Sequence, residues 1–330
     1  MESTRREFIT AAGAGVVAAT LTGQVLPAEA ARAETGHIVR VTSEGLVDRR
    51  RDRPVTEVAT KVLDRAMQEY LGKSKPADAW ASLFSDKDLV AIKINCLGKP
   101  KMSTTPEVVR AIIAGLRSAG VQEDRIVVFD LFGSHMRMSR YRLTKVKDKG
   151  VRYVHNKMWG YEDEWRKHPS GKVKFTKLMF DADKVISVPV IKDHALSGVT
   201  GALKNMAFGT IVNPSHHHRN NCDPGIANIY NLDPIKKKTT LIICDGAFIQ
   251  YDGGPQSNPA ARLPFNSLFV TRDPVALDKL MWEYLDDLRK KHRKRPLAKG
   301  RGKPVHIATA AGLGLGTDDR QKIKLVDKKI

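Results

Sequence analysis

Cysteine is scarce in this chain, with only Cys96, Cys222 and Cys244 among 330 residues. That excludes a disulfide framework and leaves room for one bridge at most. Aromatic residues make up 6%, and none is interleaved with the basic runs Lys236-Lys237-Lys238 and Arg289-Lys290-Lys291-His292-Arg293-Lys294-Arg295. A nucleic-acid surface that stacks bases therefore lacks its platforms. Beyond the N-terminal segment no apolar run reaches membrane-spanning length, which excludes a transmembrane segment in the mature chain. No internal repeat and no Walker-type glycine–lysine spacing occurs. Acidic residues are in deficit, 36 against 56 Lys and Arg, for a net charge of +20. In a cytoplasmic protein that excess would make nucleic acid the first partner to test. With no nucleic-acid module present, it reads instead as a solvated basic surface suited to anionic envelope polymers or lipid headgroups.

What is present starts at the first residues. MESTRREFIT pairs Arg5 with Arg6, AAGAGVVAATLTG is mildly apolar and rich in small residues, and PAEAARA offers small-x-small exits after Ala30 or Ala33. This pattern looks like a cleaved twin-arginine export signal over residues 1–33. It predicts a periplasmic or otherwise extracytoplasmic protein with the twin-arginine translocase as a transient partner. Residues 34–330 are then long enough for one large α/β domain, and 42% hydrophobic with 28% charged residues fits a globular, soluble mature chain.

Within that domain DLVAIKIN reads as a buried strand. STTPEVVRAIIAGLRSAG supplies a threonine cap, a proline just inside the start and a helix, and RIVVFD is the next strand. A crossover of this length implies parallel pairing. MSRYRLTKVKDKG reads as helical, VKFTKLMF and KVISVPVIK as strands, and SGVTGALKNMAFG as a helix. TTLIICD, FNSLFVTR and KIKLV complete the strands, with DPVALDKLMWEYLDDLRKKH as a capped helix. The expected fold is a mostly parallel, Rossmann-like sheet with helices on both faces.

Four of the apolar strands end in polar residues: Lys93, Asn95 and Cys96; Asp130; Lys192, Asp193 and His194; and Asp245. Carboxyl ends of parallel strands share one edge of a sheet, so these groups are expected to converge on a ligand crevice. Lys93, Lys192 and Lys204 would hold or polarise a carboxylate, phosphate or carbonyl, His194 would be the acid or base, and Asp130 and Asp245 would orient it or hold a cation. Nearby lysines should make His194 harder to protonate. Gly198 and Gly201 open a helix start to close approach, either by an anion held through backbone N–H groups, the helix dipole and the neighbouring Thr200, Lys204 and Asn205, or by a helix packing contact. The segment 213–234, rich in His, Asn, Asp and Pro, reads as a functional loop. Its run His216-His217-His218 precedes Cys222, and adjacent histidines cannot all face one ion. Cys96, His216, His218 and Cys222 are the candidate ligands of a divalent metal; an acid–base role or no role for the histidines stays open. For Cys96 and Cys222, a disulfide or a bystander role is equally open, while Cys244 reads as core.

VAIKINCLG, TTPEVVRAIIAGLRSAG, PVIKDHALSGVTGALKNMAFGTIVNPSHHH, NNCDPGIANIY, CDGAFIQYDGGP, TRDPVALDKLMWEYL and HIATAAGLGLG together resemble the domain-of-unknown-function 362 family, in its twin-arginine-exported members. Relatives with an added ferredoxin-like module imply a redox or iron–sulfur setting, although this chain has no clustered cysteine ligands. A shorter similarity, a glycine pair and a lysine before a histidine loop, resembles the nickel-pincer lactate racemase family and implies proton or hydride chemistry beside a carbonyl. The function expected is binding of a small anionic ligand, with or without a divalent metal or iron–sulfur cluster, and redox or isomerase-like acid–base catalysis. The alternatives are a non-catalytic binding or cofactor-maturation protein and a basic polyanion-binding envelope protein.

Overall fold

Strand parity decides where the chemistry sits. In Val90–Lys93, Val90 and Ile92 belong to one apolar layer and Ala91 to the opposite one, so Lys93, two residues on, points to the Ala91 side. The computed structural model describes residues 35–300 and 302–330, and the expected export signal lies outside the described residues. The ten-stranded sheet comprises β1 (His37–Thr42), β2 (Val90–Lys93), β3 (Ile126–Asp130), β4 (Arg152–His155), β5 (Lys184–Ser187), β6 (Val190–His194), β7 (Gly198–Val199), β8 (Thr239–Gln250), β9 (Arg262–Thr271) and β10 (Lys324–Lys329). The helices that matter here are α1 (Thr56–Leu71), α2 (Pro106–Ser118), α3 (Gly133–Met138), α4 (Gly201–Gly209), α5 (Pro274–Lys291) and α6 (His306–Gly312).

The path runs β10-β1-β9-β8-β5-β2-β3-β4, with β6 beside β8 and β7 beside β6. The stretch from β8 to β4 is parallel throughout, and antiparallel β9 joins it to β1. The sheet is therefore mixed but mostly parallel, within one domain. Its faces carry separate apolar layers, one with α1 and α2, the other with α4 and α6. Strands are added on one side of β2 as β3 and β4, and on its other side as β5 and β8. The crevice between the ends of β2 and β5 is thus the topological switch point, where open α/β sheets hold ligands.

Pro189 divides KVISVPVIK into β5 and β6, and both strands run beside the twelve-residue β8. β5 pairs with Thr239–Ile242, while β6 continues to Gln250 after a register shift. Two expected elements differ. Most of VKFTKLMF is not strand: its end, Leu178–Asp181, is a helical turn that buries Leu178 and Met179. In MSRYRLTKVKDKG the helix stops at Met138; Arg140 follows at φ 71° and forks onto Glu107 at 2.7 Å. Among the described residues, no helix is long and apolar enough to cross a membrane.

Candidate functional site

A cavity of about 420 Å³ opens at the switch point, with its floor formed by the ends of β2 and β3. β6 and α4 wall it, and the loop carrying Pro214, Ser215 and His218 closes it. Of the residues expected at the site, Lys93, Asn95, Asp130, His194, Thr200, Lys204, Asn205 and His218 line this cavity. Leu97, Leu131, Leu196 and Phe208 make much of the remaining wall apolar.

Asn205 ties the floor together. Its Nδ2 donates to Lys93 O (3.3 Å) and Ser187 Oγ (3.1 Å), bridging β2 and β5, while its Oδ1 accepts from Lys93 Nζ (3.2 Å) and Asn95 Nδ2 (3.3 Å). Lys93 also donates to Ile94 O (2.6 Å) and Asp130 Oδ1 (2.7 Å), so its three ammonium hydrogens all have acceptors. Asp130 Oδ2 accepts from Cys96 N at 2.7 Å. This floor is a closed polar network, braced before any ligand arrives.

The far end is different. Lys204 Nζ lies 3.3 Å from His218 Nε2, 3.7 Å from Cys222 Sγ and 3.8 Å from the centre of the Phe208 ring. Burial lowers its pKa to about 8, against the raising effect of Cys222. Burial also raises the Cys222 thiol, and Lys204 offsets part of that. His194 Nδ1 accepts from Leu196 N (3.1 Å) and Ser197 N (3.2 Å), so a neutral ring carries its proton on Nε2. Its pKa is far below the usual range. Burial is the first cause, and the expected lysine charges, Lys204 and then Lys192, add to it. His218 is lowered to about 4 by burial, then by Lys204. Its Nδ1 lies 2.9 Å from Pro214 O, which can only accept; Nε2 therefore presents a lone pair to Lys204.

Several expected participants are elsewhere. Lys192 is sealed behind the wall, donating to Asn95 Oδ1 (3.2 Å) and Pro255 O (3.1 Å), and burial lowers it to about 7. Asp193 Oδ1 accepts from Gly254 N at 2.8 Å and fixes the Gly-Pro turn. Asp245 lies inside β8, where Oδ2 accepts from the backbone N and hydroxyl of Thr105, both at 2.7 Å. It thereby caps α2, the place expected for the threonine hydroxyl itself. The α4 start is not open to an outside anion, because the Asp278 carboxylate of α5 already occupies it. That carboxylate accepts from Ala202 N (2.5 Å) and Leu203 N (3.1 Å). Gly201, at φ 55°, leaves room for Asp278 rather than a ligand, and Gly198 meets Pro304.

The metal candidates do not share one coordination sphere. Cys96 sits beneath Asp130, His216 is exposed beside Asn213, and His218 and Cys222 both face Lys204. An ion bound to that last pair would meet an ammonium, so only displacement of Lys204 would free them. Among the described residues no group of three or more His, Cys, Asp or Glu side chains is arranged to hold a metal, and the three cysteines are free thiols.

Two nearby histidines were not expected. His135 on α3 lines the cavity five residues past Asp130, a strand-end position that the sequence does show. His306 is fully buried in α6 with both ring nitrogens unpartnered; burial first, then Lys204, lowers it to about 3. It sits in the apolar run HIATAAG, which carries no sign of it.

Residues 90–283, which contain every residue lining the cavity, match the family described as a domain of unknown function, DUF362. The chain belongs to the DUF362 family. Among solved structures, this DUF362 protein is similar to the lactate racemase apoprotein from Thermoanaerobacterium thermosaccharolyticum, at 15% identity and a TM-score of 0.39, over 70% of this chain and 53% of that one. A structural genomics target from Thermotoga maritima is similar at 12% identity and a TM-score of 0.39, over 58% of this chain and 51% of that one. This DUF362 protein thus spans about half the length of the solved chains it matches. No curated protein matches it.

Proposed function

We propose that this DUF362 protein is an exported, extracytoplasmic protein that binds a small organic anion with an apolar body in the strand-end cavity. His218 supplies an acid–base group beside the ligand, and His194 a hydrogen-bond donor. The observation that carries this reading is Lys204: a buried ammonium at the end of an apolar-walled cavity, hydrogen-bonded to a histidine and a thiol and ion-paired with no carboxylate among the described residues. A buried charge without a counter-ion is costly, and a ligand carboxylate would relieve that cost. His194 Nε2–H is a second donor toward the same space, and the apolar walls accept an alkyl or aryl chain.

The test is thermal unfolding with acetate, hexanoate and phenylacetate, followed by titration calorimetry. Stabilisation should grow with the apolar chain, and Lys204→Met should weaken binding about tenfold to a hundredfold. Affinity should also fall above about pH 8 as Lys204 loses its proton. Equal binding by K204M, with no dependence on chain length, would refute the reading.

A further inference from the structure

Two lysines reach the cavity, and their settings are opposite. Lys93 is pinned by three acceptors, one of them the Asp130 carboxylate at 2.7 Å. Lys204 lies over the Phe208 ring, and its nearest polar atoms are a histidine nitrogen and a thiol. The Pro214 carbonyl fixes the proton of His218 on Nδ1, so the Nε2 lone pair is aimed at the Lys204 nitrogen from 3.3 Å. Nitrogen, proton acceptor and apolar pocket are the parts of an amine nucleophile.

We infer that Lys204 condenses with the carbonyl carbon of a small aldehyde or 2-oxo acid, with His218 Nε2 as its proton acceptor. This deepens the ligand reading given above and rests on it. Lys204 is protonated when it draws in an anionic ligand, and passing one proton to His218 Nε2 frees its lone pair. The neutral nitrogen attacks the carbonyl carbon, forming the C–N bond and a carbinolamine. The carbon–oxygen bond then breaks: the former carbonyl oxygen leaves as water with the two hydrogens of the neutral amine, relayed through His218. The product is an imine, and no oxidant or reductant is needed. His194 Nε2–H stays a hydrogen-bond donor to the carboxylate or the departing oxygen and gives up no proton. The apolar wall of Phe208, Leu196 and Leu131 lowers water activity around the imine. Lys192, although also depressed, is sealed by Asn95 and Pro255 and does not line the cavity.

The experiment treats the purified full chain with acetaldehyde or pyruvate and cyanoborohydride at neutral pH, followed by peptide mapping. Thermal unfolding with pyruvate alone is run in parallel. The expected result is a reduced adduct at Lys204 well ahead of surface lysines. It should be absent in Lys204→Met and in Lys204→Arg, which keeps the charge but cannot form the imine, and His218→Gln should slow it by about a hundredfold. Pyruvate stabilisation without a Lys204 adduct would overturn this inference and leave the anion-binding reading standing. Neither stabilisation nor adduct would overturn both for 2-oxo acids. Labelling of Lys204 no faster than surface lysines, or at an unchanged rate in H218Q, would also overturn it; circular dichroism of each variant separates lost chemistry from lost fold.

Discussion

Lys93 directs its ammonium hydrogens to Ile94, Asp130 and Asn205, whereas Lys204 meets only a lone pair, a thiol and a ring face. The same residue type is a brace in one place and a reactive group in the other. Burial is the first cause that lowers His194, His218 and His306 around Lys204, and the Lys204 charge adds to it, so each ring is neutral in the resting fold. His306 isolates the effect, since it does not line the cavity and neither of its nitrogens is bonded. Its ring titrates at about 6.5 when unfolded and about 3 when folded, so the unfolded chain binds the proton first on acidification. The stability it contributes is complete above about pH 6.5 and is lost as the pH falls toward 3. His306→Leu should therefore lose about 2 kcal/mol less than the wild type between pH 6.5 and pH 5. Urea unfolding at the two values measures this, and parallel losses would show that His306 does not resist protonation.

α4 carries Lys204, Asn205 and Phe208, and its start is held by a carboxylate from α5 rather than by its own sequence. Gly201 makes that possible: at φ 55°, a Cβ there would lie 2.2 Å from Asp278 Oδ1. Gly201→Ala should cost about 2–4 kcal/mol, through backbone strain together with displacement of the cap. Chemical denaturation checks this, and a change below about 0.5 kcal/mol would mean the cap adapts freely. The β2–α2–β3 unit was legible because its apolar runs, its Thr-Pro start and its crossover length agree. Lys93, Asp130 and His194 could be placed on one rim for the same reason, since each follows a buried strand. Asp245 and Asp278 were not legible as caps, because each serves a helix far away in sequence, and the strand-end rule put Asp245 in the crevice. Leu178–Asp181 misled for another reason: a short apolar run has no period that separates strand from helical turn.

The charge of +20 is spread along the sequence, and its basic runs at 236–238 and 289–295 lie outside the cavity lining. Part of the basic run 289–295 is engaged internally, with Arg289 and Lys294 both on Asp252 at 2.9 Å. The proposed export is likewise a matter for the whole chain. Replacing Arg5 and Arg6 together by lysine should leave the protein in the cytoplasmic fraction, and unchanged export would reject the twin-arginine route. The two sides of the cavity are also built differently. β6 is hydrogen-bonded to β8, which β9 backs in turn, so the His194 wall is anchored in the sheet. Opposite it, Pro214–His217 and Asn220–Cys222 are single 3₁₀ turns, with Asn220, Asn221 and Cys222 all at positive φ. The chamber is thus framed asymmetrically, by a strand ladder on the His194 flank and by isolated 3₁₀ turns on the histidine-rich one.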